Sequence, residues 1–334
     1  MDFIQRRGDG LFLGQEPFRI IGANNYYIGN VEEATAKGVL DLVKELGCNT
    51  LRTWAFVERN ELGLAQLDRA IYLAGQRGIR LILALENYWN DFGGVPAYVN
   101  RLGLASTAEF YHDIRCRTAY ADWVMRIVSR INTFTGVPYC EDSTILAWEL
   151  MNEPRCPRSA NGETILLGWI DEMSKFVRNI APRQLVAVGD EGFFRSSHSK
   201  SWLYDGSQGV NCTDILALDA VDFGTYHLYV DRGWASGKDA SDFGRRWIRE
   251  HIEAGRRANK PMLLEEFGVA LPPEERAALY VEWLAEVKAS DGLGALVWMI
   301  GLPEGPGQPY ALDPYTITEG PELEKVRRHA SSYD

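Results

Sequence analysis

The chain has no run of 18 apolar residues, so no segment of it is built to span a membrane as a helix. It has no CxxC pair. Its five cysteines, Cys48, Cys116, Cys140, Cys156 and Cys212, are odd in number and scattered, which excludes both a Cys-rich zinc site and a dense disulfide framework. They are expected to be free thiols. Positive charge is in short supply: 35 Lys and Arg stand against 46 Asp and Glu, a net charge of −11. That balance excludes DNA, RNA or heparin as partners and suits a neutral polymer. Low-complexity tracts and linkers are absent. The opening residues Met1-Asp-Phe-Ile-Gln-Arg-Arg lack the apolar segment of a signal peptide. The expected location is the cytoplasm, or outside the cell with a signal already removed.

What is present is a long apolar pattern. The 334 residues are 46% hydrophobic, enough for a large core, and 11% aromatic, with 10 Trp and 15 Tyr. Many of those rings sit near the ends of apolar runs, where they can line a groove and stack on flat ligand faces. Eight such runs recur, at 18–26, 49–55, 79–87, 144–151, 184–190, 221–228, 261–267 and 295–300. Each is strand-sized and nearly continuous, as parallel strands buried on both faces require. Helical stripes lie between most of them. Val39, Leu42, Val43 and Leu46 form one, Phe243, Trp247, Ile248, His251 and Ile252 another, and Leu279, Tyr280, Trp283, Leu284 and Val287 a third. Residues 110–134 read as one long helix, and 214–218 as a single turn.

Eight strand–helix repeats of uniform composition predict an α/β fold, a single (β/α)8 barrel filling residues 1–334 as one domain. The first residues read as a short hairpin turning at Asp9-Gly10, capping the bottom of the barrel.

In such a barrel chemistry sits at the C-terminal strand ends. Those ends carry Asn24 to Tyr27, Arg52-Thr-Trp54, Glu86-Asn-Tyr-Trp89, Asn152-Glu153, Asp190-Glu191, His227-Leu-Tyr229, Glu266 and Trp298. A lone strand-tip glutamate is more often a loop carboxylate. Two of them, inside a ring of Arg, His, Asn, Tyr and Trp, point to paired-carboxylate chemistry on a glycosidic bond. Pro154 cannot donate to a sheet ladder and is expected to stop the fourth strand just after Glu153. Strand alternation alone leaves open whether Glu265 or Glu266 faces the mouth. Glu149 lies deeper on the fourth strand and is assigned to hydrogen bonding inside the barrel.

These segments resemble the family-5 glycoside hydrolases, and among them the endo-β-1,4-mannanases. The carrying stretches are Leu51-Arg-Thr-Trp-Ala-Phe56, Phe92-Gly-Gly94, Ile131-Asn-Thr-Phe-Thr-Gly-Val-Pro-Tyr139, Trp148-Glu-Leu-Met-Asn-Glu-Pro-Arg-Cys156, Glu191-Gly-Phe193, Phe223-Gly-Thr-Tyr-His-Leu-Tyr229 and Leu264-Glu-Glu-Phe-Gly268. The resemblance implies Glu153 as acid/base and Glu266 as nucleophile of a retaining double displacement. It implies that Arg52 and Tyr229 bond Glu266, with Glu149 as the other partner open to Arg52. Asn152 would bind the sugar 2-hydroxyl, and His227 would orient Glu153 or the Tyr229 network. Trp298 would floor the reacting subsite, followed by a cis peptide bond. Trp54, Tyr26, Trp89 and Trp234 are candidate platforms, and Glu191 and Arg155 candidate groups of flanking subsites.

Two departures stand out. Glu86 stands where paired Asn is more usual, and as a charge near the mouth is expected to reach an extra sugar hydroxyl or a terminal sugar residue. The Pro- and Gly-rich stretch Gly301 to Tyr310 reads as a stiff rim loop. The implied substrate is a neutral β-mannan or mannooligosaccharide, with no metal or organic cofactor. An exo-acting β-mannosidase or mannobiohydrolase and a β-1,4-glucanase remain alternatives. A non-catalytic sugar-binding barrel is set aside because both carboxylates are present.

Overall fold

The computed structural model describes residues 2–56, 59–157, 161–196, 198–235, 239–303 and 313–333. Three short strands come first: β1 (Ile4–Arg7), β2 (Gly10–Leu13) and β3 (Glu16–Phe18) form an antiparallel sheet in that order. The expected hairpin is therefore a three-stranded meander. Eight strands follow: β4 (Ile20–Asn24), β5 (Thr50–Trp54), β6 (Arg80–Ala84), β7 (Ile145–Glu149), β8 (Leu185–Ala187), β9 (Gly224–Leu228), β10 (Met262–Phe267) and β11 (Gly294–Val297). They pair in parallel in the order β8-β7-β6-β5-β4-β11-β10-β9. The two edges meet where Asp222 N–H donates to Val186 C=O at 2.8 Å and Thr225 Oγ1 donates to Asp190 C=O at 2.9 Å. This is the predicted barrel.

Helices α1 (Glu33–Glu45), α2 (Glu61–Arg77), α3 (Gly94–Leu102), α4 (Glu109–His112), α5 (Ile114–Val128), α6 (Gly162–Ile180), α7 (Cys212–Leu216), α8 (Ala240–Ala258), α9 (Pro273–Ala289) and α10 (Pro321–Ser331) cover its outside. The predicted helix over 110–134 is broken twice. Asp113 caps a new helix, its Oδ1 accepting from Arg115 N–H at 2.8 Å, and α5 stops at Val128. The segment beyond it is held by a buried carboxylate. Asp68 accepts from Arg130 Nε (2.9 Å) and Nη2 (2.7 Å), Tyr139 OH (2.5 Å) and Thr133 Oγ1 (2.8 Å). The family-like run 131–139 is thus a structural motif around Asp68.

Two apolar clusters make the core. The larger lies between barrel and helices. The smaller fills the lower barrel with Ile20, Ile82, Leu146, Leu185, Phe223, Leu263 and Leu296, and Ile4 and Leu11 of the N-terminal sheet complete it. The sheet therefore plugs the bottom, as expected. All five cysteines are free thiols. Among the described residues no helix is long and apolar enough to cross a membrane. The expected rim loop falls mostly on 304–310, outside the described residues.

Candidate active site

The tip of β7 is held on both sides by backbone. Leu150, Met151 and Glu153 N–H donate to Ala187, Val188 and Gly189 C=O, and Asn152 N–H donates to Glu86 C=O, all at 2.8–3.1 Å. The strand itself ends at Glu149, earlier than Pro154 led us to expect, but pairing with the neighbouring chain continues to Glu153. There the backbone turns through φ 51°, a left-handed conformation that a glutamate rarely adopts. The turn sends the carboxylate into the mouth.

At β10 the ladder slips. Its register with β9 shifts between Leu264 and Glu266, and with β11 between Leu264 and Phe267. Regular alternation would turn adjacent residues to opposite faces. Here the slip brings both Glu265 and Glu266 against the same inner groups. The question that alternation left open has the answer that both point inward.

Arg52 joins these strands. Its Nε donates to Glu149 Oε2 (2.6 Å), Nη1 to Asn24 Oδ1 (3.1 Å) and Glu266 Oε1 (2.5 Å), and Nη2 to Glu149 Oε1 (2.5 Å) and Asn152 Oδ1 (2.8 Å). All five of its donor hydrogens are used. The two partners considered for it, Glu266 and Glu149, are both real. Tyr229 OH donates to Glu266 Oε2 at 2.6 Å, so each oxygen of Glu266 accepts one hydrogen bond.

Glu153 has different company. Its Oε1 lies 2.7 Å from His227 Nδ1, and its Oε2 accepts from Trp89 Nε1 at 2.5 Å. His227 Nε2 lies 3.3 Å from Glu265 Oε2. One oxygen each of Glu153 and Glu266, with a His227 nitrogen, fall within 4.8 Å of one another. A metal could be imagined there, but every one of those ligand atoms is already engaged by a side chain of the site.

The electrostatics separate the two carboxyls. Burial works to raise Glu153, but the hydrogen bond and charge of His227, with Arg155 and Trp89, overcome it and bring the pKa down to about 2. Burial raises Glu266 above the ordinary carboxylate value, with His227 and Arg52 opposing. Burial opposes the charge on His227, yet Glu266, Glu153 and Glu265 together hold its pKa well above the usual imidazole range. Both directions favour the proton on His227 over Glu153.

A cleft of about 500 Å³ opens above these groups, lined by Tyr26, Trp54, Asn87, Trp89, Asn152, Glu153, Tyr229, Glu266 and Trp298. Tyr26 stacks beside Trp298, and the Trp298–Met299 peptide is cis. Asp91, Phe92, Arg232 and Asp313 also line it, and sequence reasoning did not single them out individually. Phe92 had a signal in the glycines behind it. A Cβ on Gly94 would sit 1.8 Å from Trp89 C=O, so the turn that aims Phe92 needs glycine there. A larger, mainly apolar hollow of about 740 Å³ between α7 and α8 contains none of the strand-tip residues.

Several expected contacts are placed elsewhere. Trp234 is buried against Phe193, Trp202 and Trp247 and does not line the cleft. Glu86 is fully buried, paired to Arg59 and accepting from Asn87 N–H, because burial of its charge requires a cation. It does not project into the mouth. Glu191 and Arg155 bind each other through two 2.5 Å hydrogen bonds, with Arg155 stacked on Trp89 and Phe193. They buttress Trp89, and through it Glu153. Burial and the Glu153 charge push Glu191 up to about 8, with Arg155 opposing.

An eight-stranded barrel with two buried carboxyls facing one aromatic cleft, each bonded by a different set of partners, defines a glycoside hydrolase. The model of the family described as GH family 5 beta-mannosidase-like matches residues 57–279, and the chain belongs to that family. It is 33% identical over 306 residues to a probable mannan endo-1,4-beta-mannosidase A of Aspergillus niger, covering 84% of this chain and 76% of the relative. Mannan endo-1,4-beta-mannosidase 2 of Oryza sativa is 34% identical over 345 residues, covering 90% and 77%. The crystal structure of the endo-1,4-beta-mannanase from Rhizomucor miehei superposes with a TM-score of 0.92 at 32% identity, covering 99% of each chain.

Proposed function

We propose that this chain, as one catalytic domain, hydrolyses β-1,4-mannosidic bonds inside mannan or mannooligosaccharides, with retention of configuration. The observation that carries the reading is the spacing of the carboxyls. One oxygen of Glu153 and one of Glu266 lie within 4.8 Å of each other, which suits the close pairing, roughly 5–5.5 Å between carboxyl groups, used for a covalent intermediate. The named relatives supply the substrate and the endo mode.

In this mechanism Glu266 attacks the anomeric carbon. Its oxygens are fixed by Arg52 and Tyr229, so the nucleophile needs no reorganisation. Glu153 gives a proton to the departing oxygen, then takes one from the water that cleaves the mannosyl ester. Asn152, held by Arg52 and by Asn87, offers its amide to the 2-hydroxyl. Trp298, Trp54 and Tyr26 supply the flat apolar wall.

Digestion of mannohexaose and cellohexaose, followed by anomeric proton NMR and product chromatography, tests the reading. A mixture of mannooligosaccharides appearing first as the β-anomer is expected. A single small product would overturn endo action, an initial α-anomer would overturn retention, and cleavage of cellohexaose alone would overturn the substrate.

A further inference from the structure

Glu265 is a carboxylate for which the double displacement has no use. It is fully buried, and its Oε1 has no hydrogen-bond partner among the described residues. Packing gains nothing from it, since it adds a third carboxylate around one guanidinium: Arg52 bonds Glu149 and Glu266, and lies 3.6 Å from Glu265. What Glu265 does touch is His227, whose other ring nitrogen touches Glu153. The three groups form a line, with Oε2 of Glu265 3.3 Å from Nε2 and Oε1 of Glu153 2.7 Å from Nδ1. An imidazole held between two carboxyls is charged more readily the more of them are ionised.

We propose that Glu265 controls, through His227, whether the acid proton sits on Glu153. In the empty cleft the proton rests on Nδ1 and Glu153 is ionised. Substrate entry strips water from Glu153 and sets an ether oxygen beside it, which disfavours the carboxylate. The Nδ1–H bond then breaks and an O–H bond forms at Glu153, so imidazolium and carboxylate become neutral imidazole and acid. Nε2–H stays aimed at Glu265. After water has attacked, Glu153 holds a proton again and returns it to Nδ1 as product leaves.

The transfer is easy only while Glu265 is neutral, because a carboxylate 3.3 Å from the ring holds the imidazolium in place. Burial and then the Glu149 charge raise Glu265 to about 8, against Arg52 and His227. It is therefore neutral below that value and ionised above it. The other charged or titratable groups facing this line are Glu266 and Tyr229 beside it, Arg52 and Glu149 around Glu265, Asp190 and Glu191 at the β8 tip, and Arg155 and Arg232 on the side of Glu153. Helix α8 contributes a neutral donor, Trp247 Nε1, to His227 C=O. Glu265 is a positioning residue in this scheme and never meets the sugar.

The inference rests on Glu153 being the acid/base. Its test is the pH dependence of kcat/KM in Glu265→Gln, which keeps the shape and removes the titration. On mannotetraose the alkaline limb should move to higher pH by about one unit or more. On 2,4-dinitrophenyl β-mannobioside, whose leaving group needs no proton, the profile should stay that of the parent. A mannotetraose limb that is unmoved or moves to lower pH overturns the proposal, as does an equal shift on both substrates. If the variant fails to fold, the parent decides. With its five histidines labelled in 15N, the empty enzyme should show a His227 ring protonated at both nitrogens at neutral pH, and a neutral ring overturns the proposal. Loss of the underlying reading looks different: Glu153→Gln would then be equally impaired on the two substrates.

Discussion

Two buried carboxylate clusters in this molecule use the same parts and end in opposite conditions. Around Asp68, one guanidinium serves one buried carboxylate, with the exposed Glu61 3.7 Å from that guanidinium, and Tyr139 and Thr133 fill the remaining lone pairs of Asp68. Around Arg52, one guanidinium serves Glu149 and Glu266, with Glu265 close by. Burial would raise Asp68, but the hydrogen bonds of Arg130, Tyr139 and Thr133 bring its pKa below the ordinary value. Burial raises Glu265 and Glu266 without full compensation. A saturated cluster is a structural clasp. An overcrowded one binds protons more tightly than an ordinary carboxylate does, so it can take one up and release it near the working pH, which is what acid–base chemistry requires.

The contrast is broken most directly at Glu266. Glu266→Ala removes the nucleophile, and kcat should fall by about 10⁴-fold or more. The same change relieves crowding, so the melting temperature should not fall. A variant that retains near-parental turnover would remove Glu266 from the mechanism. A variant that melts much earlier would show that the crowding was not a strain on the fold.

Glu153→Gln should slow mannooligosaccharide cleavage by about 10²–10⁴-fold. With a dinitrophenyl leaving group the first step should recover most of that loss, because departure then needs no proton. Equal loss on both substrates would assign Glu153 to structure and make the two clusters alike.

Arg52→Met attacks the crowded cluster from the other side. Glu149 and Glu266 would lose their shared cation in a buried setting, at about 3–5 kcal/mol of stability. Denaturant unfolding measures it. The loss should shrink in mild acid, where protonation removes the stranded charges. A loss under 1 kcal/mol would mean that the guanidinium aligns the carboxylates without stabilising them.

The two clusters also differ in how much of them could be read beforehand. The barrel followed from eight continuous apolar runs, and Glu153 and Tyr229 from their strand-tip positions. Glu265 could not be placed, because the slip in β10 is a property of its pairing with β9 and β11 and leaves no mark on periodicity. Glu86 looked like a site group because its cation, Arg59, lies far from it in sequence on a loop. Trp234 looked like a platform because a ring near a strand tip reads the same whether it faces the cleft or, as here, packs behind it. The Asp68 clasp was visible only as the unexplained specificity of the run 131–139. Its centre sits on α2, and the partners meet only when α5 ends.

Asp68→Asn is the gentlest test and the one that isolates the clasp. Asparagine keeps the size but cannot accept from Arg130, Tyr139 and Thr133 together, so unfolding stability should drop by about 1–3 kcal/mol. None of the partners lines the cleft, and kcat should be unchanged. The sign with pH follows from the lowered pKa of Asp68. Above the unfolded-state value of about 3.9 the carboxylate contributes its full stability, and the contribution is lost as pH falls through the lower folded-state value. The variant has no such contribution to lose. The gap between parent and variant melting temperatures should therefore be widest near neutrality and narrow steadily below about pH 4. A gap that stays constant on acidification would mean that the shape of the side chain, rather than its charge, closes the clasp, and the contrast with the crowded cluster would then rest on packing alone.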